Sequence, residues 1–249
     1  MKIAGIILAA GKGTRINSHK INKVALPFLG KPLISYGVNL FKGMVNPLII
    51  VVGAYSESVK KVLKGVKVVY ADQKKRLGTG HGVKVGLEVL EKYSPTPEAV
   101  LVGYGDHMMF YKKETVKKLI NLHAENSAAV SLITVKHNSP DELAWGRIIR
   151  DSAGYIIDNI EQRDATAAER KIGEINAGFY CFDYEFLNKN IDKIKKSPKS
   201  GEYYVNSLIQ IAVKQCRKVI GLKVPFEEVG IGINKSPELQ ISQKLYLQD

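Results

Sequence analysis

The residues with the clearest chemical potential form one short string near the start of the chain: Leu8-Ala9-Ala10-Gly11-Lys12-Gly13-Thr14-Arg15. An isoleucine-rich apolar run over residues 3–8 precedes the glycines and reads as a buried strand. Gly11 and Gly13 permit φ > 0 and let a ligand come close to the backbone. Free N–H groups in such a turn cradle phosphate oxygens. Arg15 adds a planar fork of donors suited to phosphate, and Lys23 supplies a second cation a few residues on. The chemistry would be the holding of a nucleotide's phosphates. The same residues also fit a tight strand-to-loop turn with solvated cations. Two common phosphate loops are excluded: there is no Walker A spacing, and Ile16 stands where a dinucleotide fingerprint needs its third glycine.

Two further places offer polar groups just past predicted strand ends. In Gln73-Lys74-Lys75-Arg76-Leu77-Gly78-Thr79-Gly80-His81 the Gln73 amide presents a donor and an acceptor together, which suits the edge of a base. Backbone groups of Gly78 and Thr79 could read the same base; the alternative is a polar loop capping a helix. In Tyr104-Gly105-Asp106 the carboxylate is well placed to hold a metal over bound phosphates, since magnesium takes one or two protein ligands plus phosphate and water. The alternative there is an exposed aspartate at a turn.

The elements that must position these groups follow from periodicity. Aliphatic runs over 48–52, 66–70, 99–104, 128–135 and 219–224 read as strands, and those over 48–52 and 99–104 as strands covered on both faces. Helices are expected over 31–41, with Pro32 in the first turn, and over 56–64, 82–91, 113–126 and 237–247. The early β-α-β-α-β order predicts a mostly parallel α/β sheet with helices on both faces. After residue 135 the pattern changes. Residues 145–150 and 155–161 alternate around Asp151-Ser152-Ala153-Gly154, which predicts a hairpin, and one more strand follows over 175–182. This region reads as a small β-rich, lid-like extension over an acceptor substrate. A helix is expected to open at residues 201–206 and run to 215.

The chain has 249 residues, which fits one large α/β domain or two small ones; the single-domain reading is preferred, with a nucleotide-binding part over about 1–135 and a part for the second substrate over about 136–234, which the resemblance described below implies is a sugar. No apolar run approaches the ~20 residues of a membrane helix. Without a cleavage site of signal-peptide type, a cytoplasmic protein is expected. Cys181 and Cys216 are too few and too far apart for a zinc site or disulfide framework. The net charge of +13 is spread as lysines over expected helices and loops, with no nucleic-acid-binding motif, so it reads as a solvated surface that also attracts anions.

The string 8–15, then Lys23 and Gly30-Lys31-Pro32-Leu33, resembles the signature of the sugar-phosphate nucleotidyltransferases. Asn22 stands where that family usually has proline, and the segment from Arg15 to Lys23 is one residue longer. Leu77-Gly78-Thr79-Gly80-His81 resembles the base-reading loop of members that transfer uridylyl to N-acetylglucosamine 1-phosphate, with His81 structural and not catalytic. The resemblance extends over nearly the whole chain. It implies the nucleotide-diphospho-sugar transferase fold. It also implies that Arg15 and Lys23 act on the triphosphate, and that Leu8, Ala10, Gly11, Gly13, Thr14, Gln73, Gly78 and Thr79 bind the nucleotide. Tyr104, Gly146, Glu161, Asn176 and Tyr204 would contact the sugar, and Asp106 and Asn234 would hold Mg2+. Ala177 and Asn206 replace threonines that are more usual in the family.

The reaction implied is UTP plus N-acetylglucosamine 1-phosphate giving UDP-N-acetylglucosamine and pyrophosphate. The phosphate oxygen is already a nucleophile, so no Ser, Cys or His is required. Alternatives are a neighbouring specificity (glucose 1-phosphate as acceptor, or thymidylyl or cytidylyl transfer) and a catalytically silent, nucleotide-sugar-binding regulatory subunit. The related bifunctional members continue into a β-helix of hexapeptide repeats; these 249 residues contain none, so a stand-alone transferase or part of a longer one is expected.

Overall fold

The computed structural model describes residues 1–13, 21–93, 95–233 and 236–248, with only the backbone of Ser236. Its main sheet has the order β11-β7-β10-β6-β1-β4-β5, where β1 is Ile3–Ala9, β4 Leu48–Val52, β5 Val69–Asp72, β6 Ala99–Tyr104, β7 Val130–Lys136, β10 Glu174–Asp183 and β11 Val219–Val224. Neighbours run parallel except at β10, which is antiparallel to both β6 and β7. A short separate hairpin pairs β2 (Pro27–Phe28) with β3 (Lys31–Pro32).

Alternation along the strands sends neighbouring residues to opposite faces, and each face is covered by its own helices. On one face Ala4, Ile6, Ile49, Val51, Val100 and Val102 pack under α3 (Thr79–Leu90), α6 (Tyr184–Asn190) and α7 (Ser207–Lys214). On the other, Ile3, Ile7, Ile50, Val52 and Leu101 pack under α1 (Leu33–Phe41), α2 (Ser56–Val62) and α4 (Lys113–Glu125). The expected mostly parallel sheet with helices on both faces is therefore present.

Four local expectations are corrected. First, the strand expected over 175–182 is not part of a lid. As β10 it lies inside the main sheet, where Ile175 to Phe182 are all buried apart from no more than traces of surface, Asn176 retaining 5%. A run so apolar cannot cover an open site. The extension proper is the hairpin of β8 (Arg147–Arg150) and β9 (Ile156–Ile160), joined to β10 through the Ile175–Arg147 pair. Second, residues 201–206 do not open a helix. Tyr203 instead runs alongside the loop before α3, its N–H donating to Leu77 O at 2.8 Å and its carbonyl accepting from Gly80 N–H at 2.7 Å. Third, α3 starts at Thr79 and not at Gly82. The chain enters it through Gly78 at φ +107°, where a Cβ would sit 2.5 Å from Tyr203 O, so only glycine fits. The helix expected from Lys31 begins at Leu33, because Lys31 and Pro32 pair in the short hairpin. The closing helix α8 is Ser236–Tyr246; Tyr246 packs edge-on to Phe28, Tyr36 and Phe110.

Candidate active site

Parallel strands bring their carboxyl ends to one sheet edge, where open α/β proteins bind ligands. Here the ends of β1, β4, β5 and β6 deliver the glycine loop, the turn at Gly53-Ala54, Gln73 and Asp106 respectively. Gly105 N–H donates to Leu8 O at 3.0 Å and continues the β1–β6 ladder up to Asp106. Gln73 N–H donates to Val52 O at 2.8 Å and does the same for β4 and β5. Ordinary strand pairing thus sets the chemical groups side by side.

A cavity of about 440 Å3 opens at this edge. Leu8, Ala10, Gly11, Gly13, Lys23, Gln73, Gly78, Thr79 and Asp106 all line it, so nearly all the nucleotide residues expected from sequence are brought together. Thr14, Arg15 and Asn234 lie outside the described residues. Gly13 has φ +62°, and a Cβ on Gly11 would meet no atom of the described residues within 4 Å. Lys12 and Arg76 add positive charge to the lining, opposed by Glu202.

A second cavity of about 250 Å3 contains all five expected sugar residues: Tyr104, Gly146, Glu161, Asn176 and Tyr204. Thr79, Tyr104 and Asp106 line both cavities. The two spaces therefore share a seam, and Asp106 stands on it. The Lys23 ammonium forms an ion pair with the Asp106 carboxylate, with 12% and 20% of their side-chain surfaces exposed.

The polar groups of the site are held in specific directions. Gln73 Nε2 lies 3.0 Å from Gly78 O and 2.9 Å from His81 Nδ1, while Oε1 has no partner among the described residues. Burial lowers the His81 pKa, which keeps the ring neutral and Nδ1 able to accept. Asn176 Nδ2 donates to Tyr180 Oη at 2.7 Å and its Oδ1 accepts from Gly178 N–H at 2.9 Å, leaving one amide hydrogen for a ligand. Gly178, at φ +75°, lies under the Tyr104 ring, where a Cβ would come within 2.4 Å of the ring. Tyr104 shares hydrogen bonds with Tyr180 and Thr79, and burial raises its pKa, so its hydroxyl keeps its proton. Glu161 Oε1 accepts from Asn206 Nδ2 at 2.7 Å. The Glu161 carboxyl faces the cavity on one side and protein on the others. Burial first, then nearby Asp164, pushes its pKa up to about 7.

Several contributors were not predicted from sequence as site residues. Asn206 was noted only as a departure from the family pattern, yet it orients Glu161. Trp145 and His107 line the second cavity, their rings tilted at 55° with centroids 4.5 Å apart. Arg76 and Glu202 line the first, and their adjacency to the Gln73 and Tyr203-Tyr204 segments was the available signal. Tyr180 carries no local signal, because its link to Asn176 depends on the register shift in β10.

The sheet and its two helical layers are those of the nucleotide-diphospho-sugar transferase class of α/β fold. The chain belongs to the nucleotidyl transferase family, whose model matches residues 4–225. It is 38% identical over 241 residues to the bifunctional protein GlmU of Caldicellulosiruptor saccharolyticus, covering 96% of this chain and 50% of that protein. With GlmU of Brevibacillus brevis the identity is 36% over 239 residues, again 96% and 50%. The chain thus spans about half the length of the curated relatives it matches, 50% in each case. A crystal structure from Bacillus anthracis, provisionally assigned as a glucose-1-phosphate thymidylyltransferase and holding a sucrose, has the same fold. Its TM-score is 0.78, covering 98% of this chain and 95% of that one at 19% identity. Among the described residues no helix is long and apolar enough to cross a membrane.

Proposed function

We propose that the chain is a sugar-1-phosphate nucleotidyltransferase that joins UTP and N-acetylglucosamine 1-phosphate into UDP-N-acetylglucosamine, releasing pyrophosphate. The observation that carries this is the shared seam: Thr79, Tyr104 and Asp106 line both cavities, so two bound substrates would meet at one carboxylate. An oxygen of the sugar phosphate attacks the α-phosphorus of UTP in line, and pyrophosphate leaves as the α–β bond breaks. Positioning and charge stabilisation supply the catalysis, since the nucleophile is already an anion. The glycine-loop N–H groups, Arg15 and Lys23 hold the triphosphate. Lys23 is paired with Asp106 at the seam, within reach of both substrates' phosphates on this reading.

The donors fit magnesium. Among the described residues there is no group of three or more His, Cys, Asp or Glu that would cage a metal. A single carboxylate beside a triphosphate site is the donor set that magnesium uses with substrate phosphates. Asp106 and Asn234 would hold the ion, which when bound offsets charge on the phosphates.

Base choice follows from Gln73. With its NH2 group directed at Gly78 O and His81, it offers Oε1, an acceptor, to the cavity. Uracil presents N3–H, a donor, where cytosine presents a lone pair. Acceptor choice rests on Glu161, set to accept from sugar hydroxyls, and on Asn176, whose free amide hydrogen suits an acetamido oxygen. Similarity to the GlmU proteins supports this reading. The test is pyrophosphate release from each nucleoside triphosphate against a panel of sugar 1-phosphates. UTP with N-acetylglucosamine 1-phosphate should be fastest; a preference for glucose 1-phosphate would refute the acceptor assignment.

A further inference from the structure

We infer that Asn22 is a positioning residue that holds Lys23 and the glycine loop in one arrangement for the triphosphate. The inference rests on the reading of Lys23 as a phosphate-holding cation. Asn22 is 1% exposed and lies in the wall of the nucleotide cavity. Its Nδ2 lies 3.0 Å from Ala9 O, 3.1 Å from Gly11 O and 2.7 Å from Ala54 O. An amide nitrogen has two hydrogens, so one of them is shared between two of these carbonyls. The acceptors belong to three different segments: the end of β1, the glycine loop and the turn after β4. Its Oδ1 accepts from Val24 N–H at 3.1 Å and caps the single 3-10 turn Lys23–Ala25. Its own N–H donates to Ser58 Oγ at 2.9 Å, and that hydroxyl donates to Tyr55 O at 2.6 Å, which anchors the start of α2.

Each of these bonds constrains the residue that follows. Lys23 opens the turn that Asn22 caps, and its ammonium meets Asp106 at the seam. The bond to Gly11 O fixes the peptide between Gly11 and Lys12, and a trans peptide then points the Lys12 N–H the opposite way. The backbone of Asn22, at φ −64° and ψ 139°, is one that proline also adopts. A proline here would keep the chain path while leaving the three carbonyls without this donor. Buried carbonyls without partners are costly, so the amide is a local solution that couples loop, turn and cation.

The experiment is a double-mutant cycle on the full chain: Asn22→Ala, Lys23→Ala and both together. It reads kcat, the KM for UTP, the KM for sugar phosphate and the unfolding midpoint. Asn22→Asp, which keeps the backbone N–H bond to Ser58 and the oxygen that caps Val24 N–H but loses the Nδ2 donor, serves as a second variant if the alanine variant folds poorly, and should show the same loss confined to UTP. Asn22→Ala should lower kcat/KM for UTP on the order of tenfold, a size usual for coupled neighbours, and leave the sugar-phosphate KM within about twofold of wild type. In the Lys23→Ala background the same change should cost little more. Equal losses from Asn22→Ala in both backgrounds, or equal rises in both KM values, would show a purely structural residue and overturn the inference. Wild-type turnover by Lys23→Ala would instead refute the triphosphate reading, and the inference with it.

Discussion

The backbone N–H of Ile233 donates to the backbone carbonyl of Asp106 at 3.1 Å. Two segments 127 positions apart are thereby fixed to each other, one carrying the seam carboxylate and the other leading directly into Asn234. His107 reinforces the junction from the next position: its Nε2 lies 3.4 Å from Gly230 O, and its ring fills the space over Gly232.

Because the Ile233–Asp106 bond is between backbones, Asp106→Asn should leave this corner folded while removing its charge. Loss of the charge that would offset magnesium should lower turnover by on the order of a hundredfold or more. Steady-state rates across a magnesium titration, with circular dichroism as the folding control, check this. A folded Asp106→Asn protein with near-normal turnover at low magnesium would remove Asp106 from the metal site.

Removing the Gln73 amide should weaken UTP specifically. Gln73→Ala leaves Gly78 O and the base edge without their partner, at a cost of roughly 1–3 kcal/mol, expressed mainly as a higher KM for UTP. The wild type should use CTP far more slowly than UTP. Equal KM and kcat for the two nucleotides would contradict the role of Oε1.

The pH profile should report Glu161. Its folded pKa is about 7, the net of burial, Asp164 and Glu202, which raise it, and Asn206 and Arg147, which lower it. On the proposed reading Glu161 accepts from sugar hydroxyls as a carboxylate, so kcat/KM for sugar phosphate should rise as pH passes about 7. The substrate phosphate titrates near ~6 and contributes its own rise. Glu161→Gln should abolish the upper step and keep the lower one. The stability sign is opposite: the folded carboxyl holds its proton more tightly, so its favourable contribution is complete at low pH. That contribution is lost as pH rises from the ordinary carboxylate range through about 7. An unchanged upper step in Glu161→Gln would assign it to another group.

Asn159 on β9 should be a site where an apolar residue stabilises. It is 6% exposed, it fills the space beside Gly146, and neither polar atom of its amide has a partner among the described residues. Asn159→Leu, close in shape, should raise stability by about 1 kcal/mol, or roughly 2–4 °C in melting temperature. A lower melting temperature would show that the amide is satisfied by a buried water.

Much of the architecture was legible because burial on both faces leaves an unbroken aliphatic run. Leu48–Val52 and Ala99–Tyr104 were located to the residue for that reason, and the half-buried edge strand Val219–Val224 by its β-branched and aliphatic residues. The insertion of β10 between β6 and β7 was not legible, since a strand buried on both faces is compatible with any interior slot. Nor was the extended path of Tyr203, which is set by bonds to Leu77 and Gly80 more than a hundred positions away. The cavity residues were readable wherever a motif places them just past a strand end, as with Gln73 and Asp106. Asn22, Asn206 and Tyr180 were not assigned to the site, because their importance lies in partners that only the fold supplies.

The central claim is that a nucleotidyl group, and not a phosphoryl group, moves across the seam at Asp106. Its most direct measurement is the fate of label from UTP marked at the α- or the γ-phosphorus, incubated with N-acetylglucosamine 1-phosphate and magnesium. The account predicts α-label in the nucleotide sugar and γ-label in pyrophosphate, with no γ-label on the sugar. Transfer of γ-label to the sugar phosphate, or no redistribution of either label by folded protein, would contradict it.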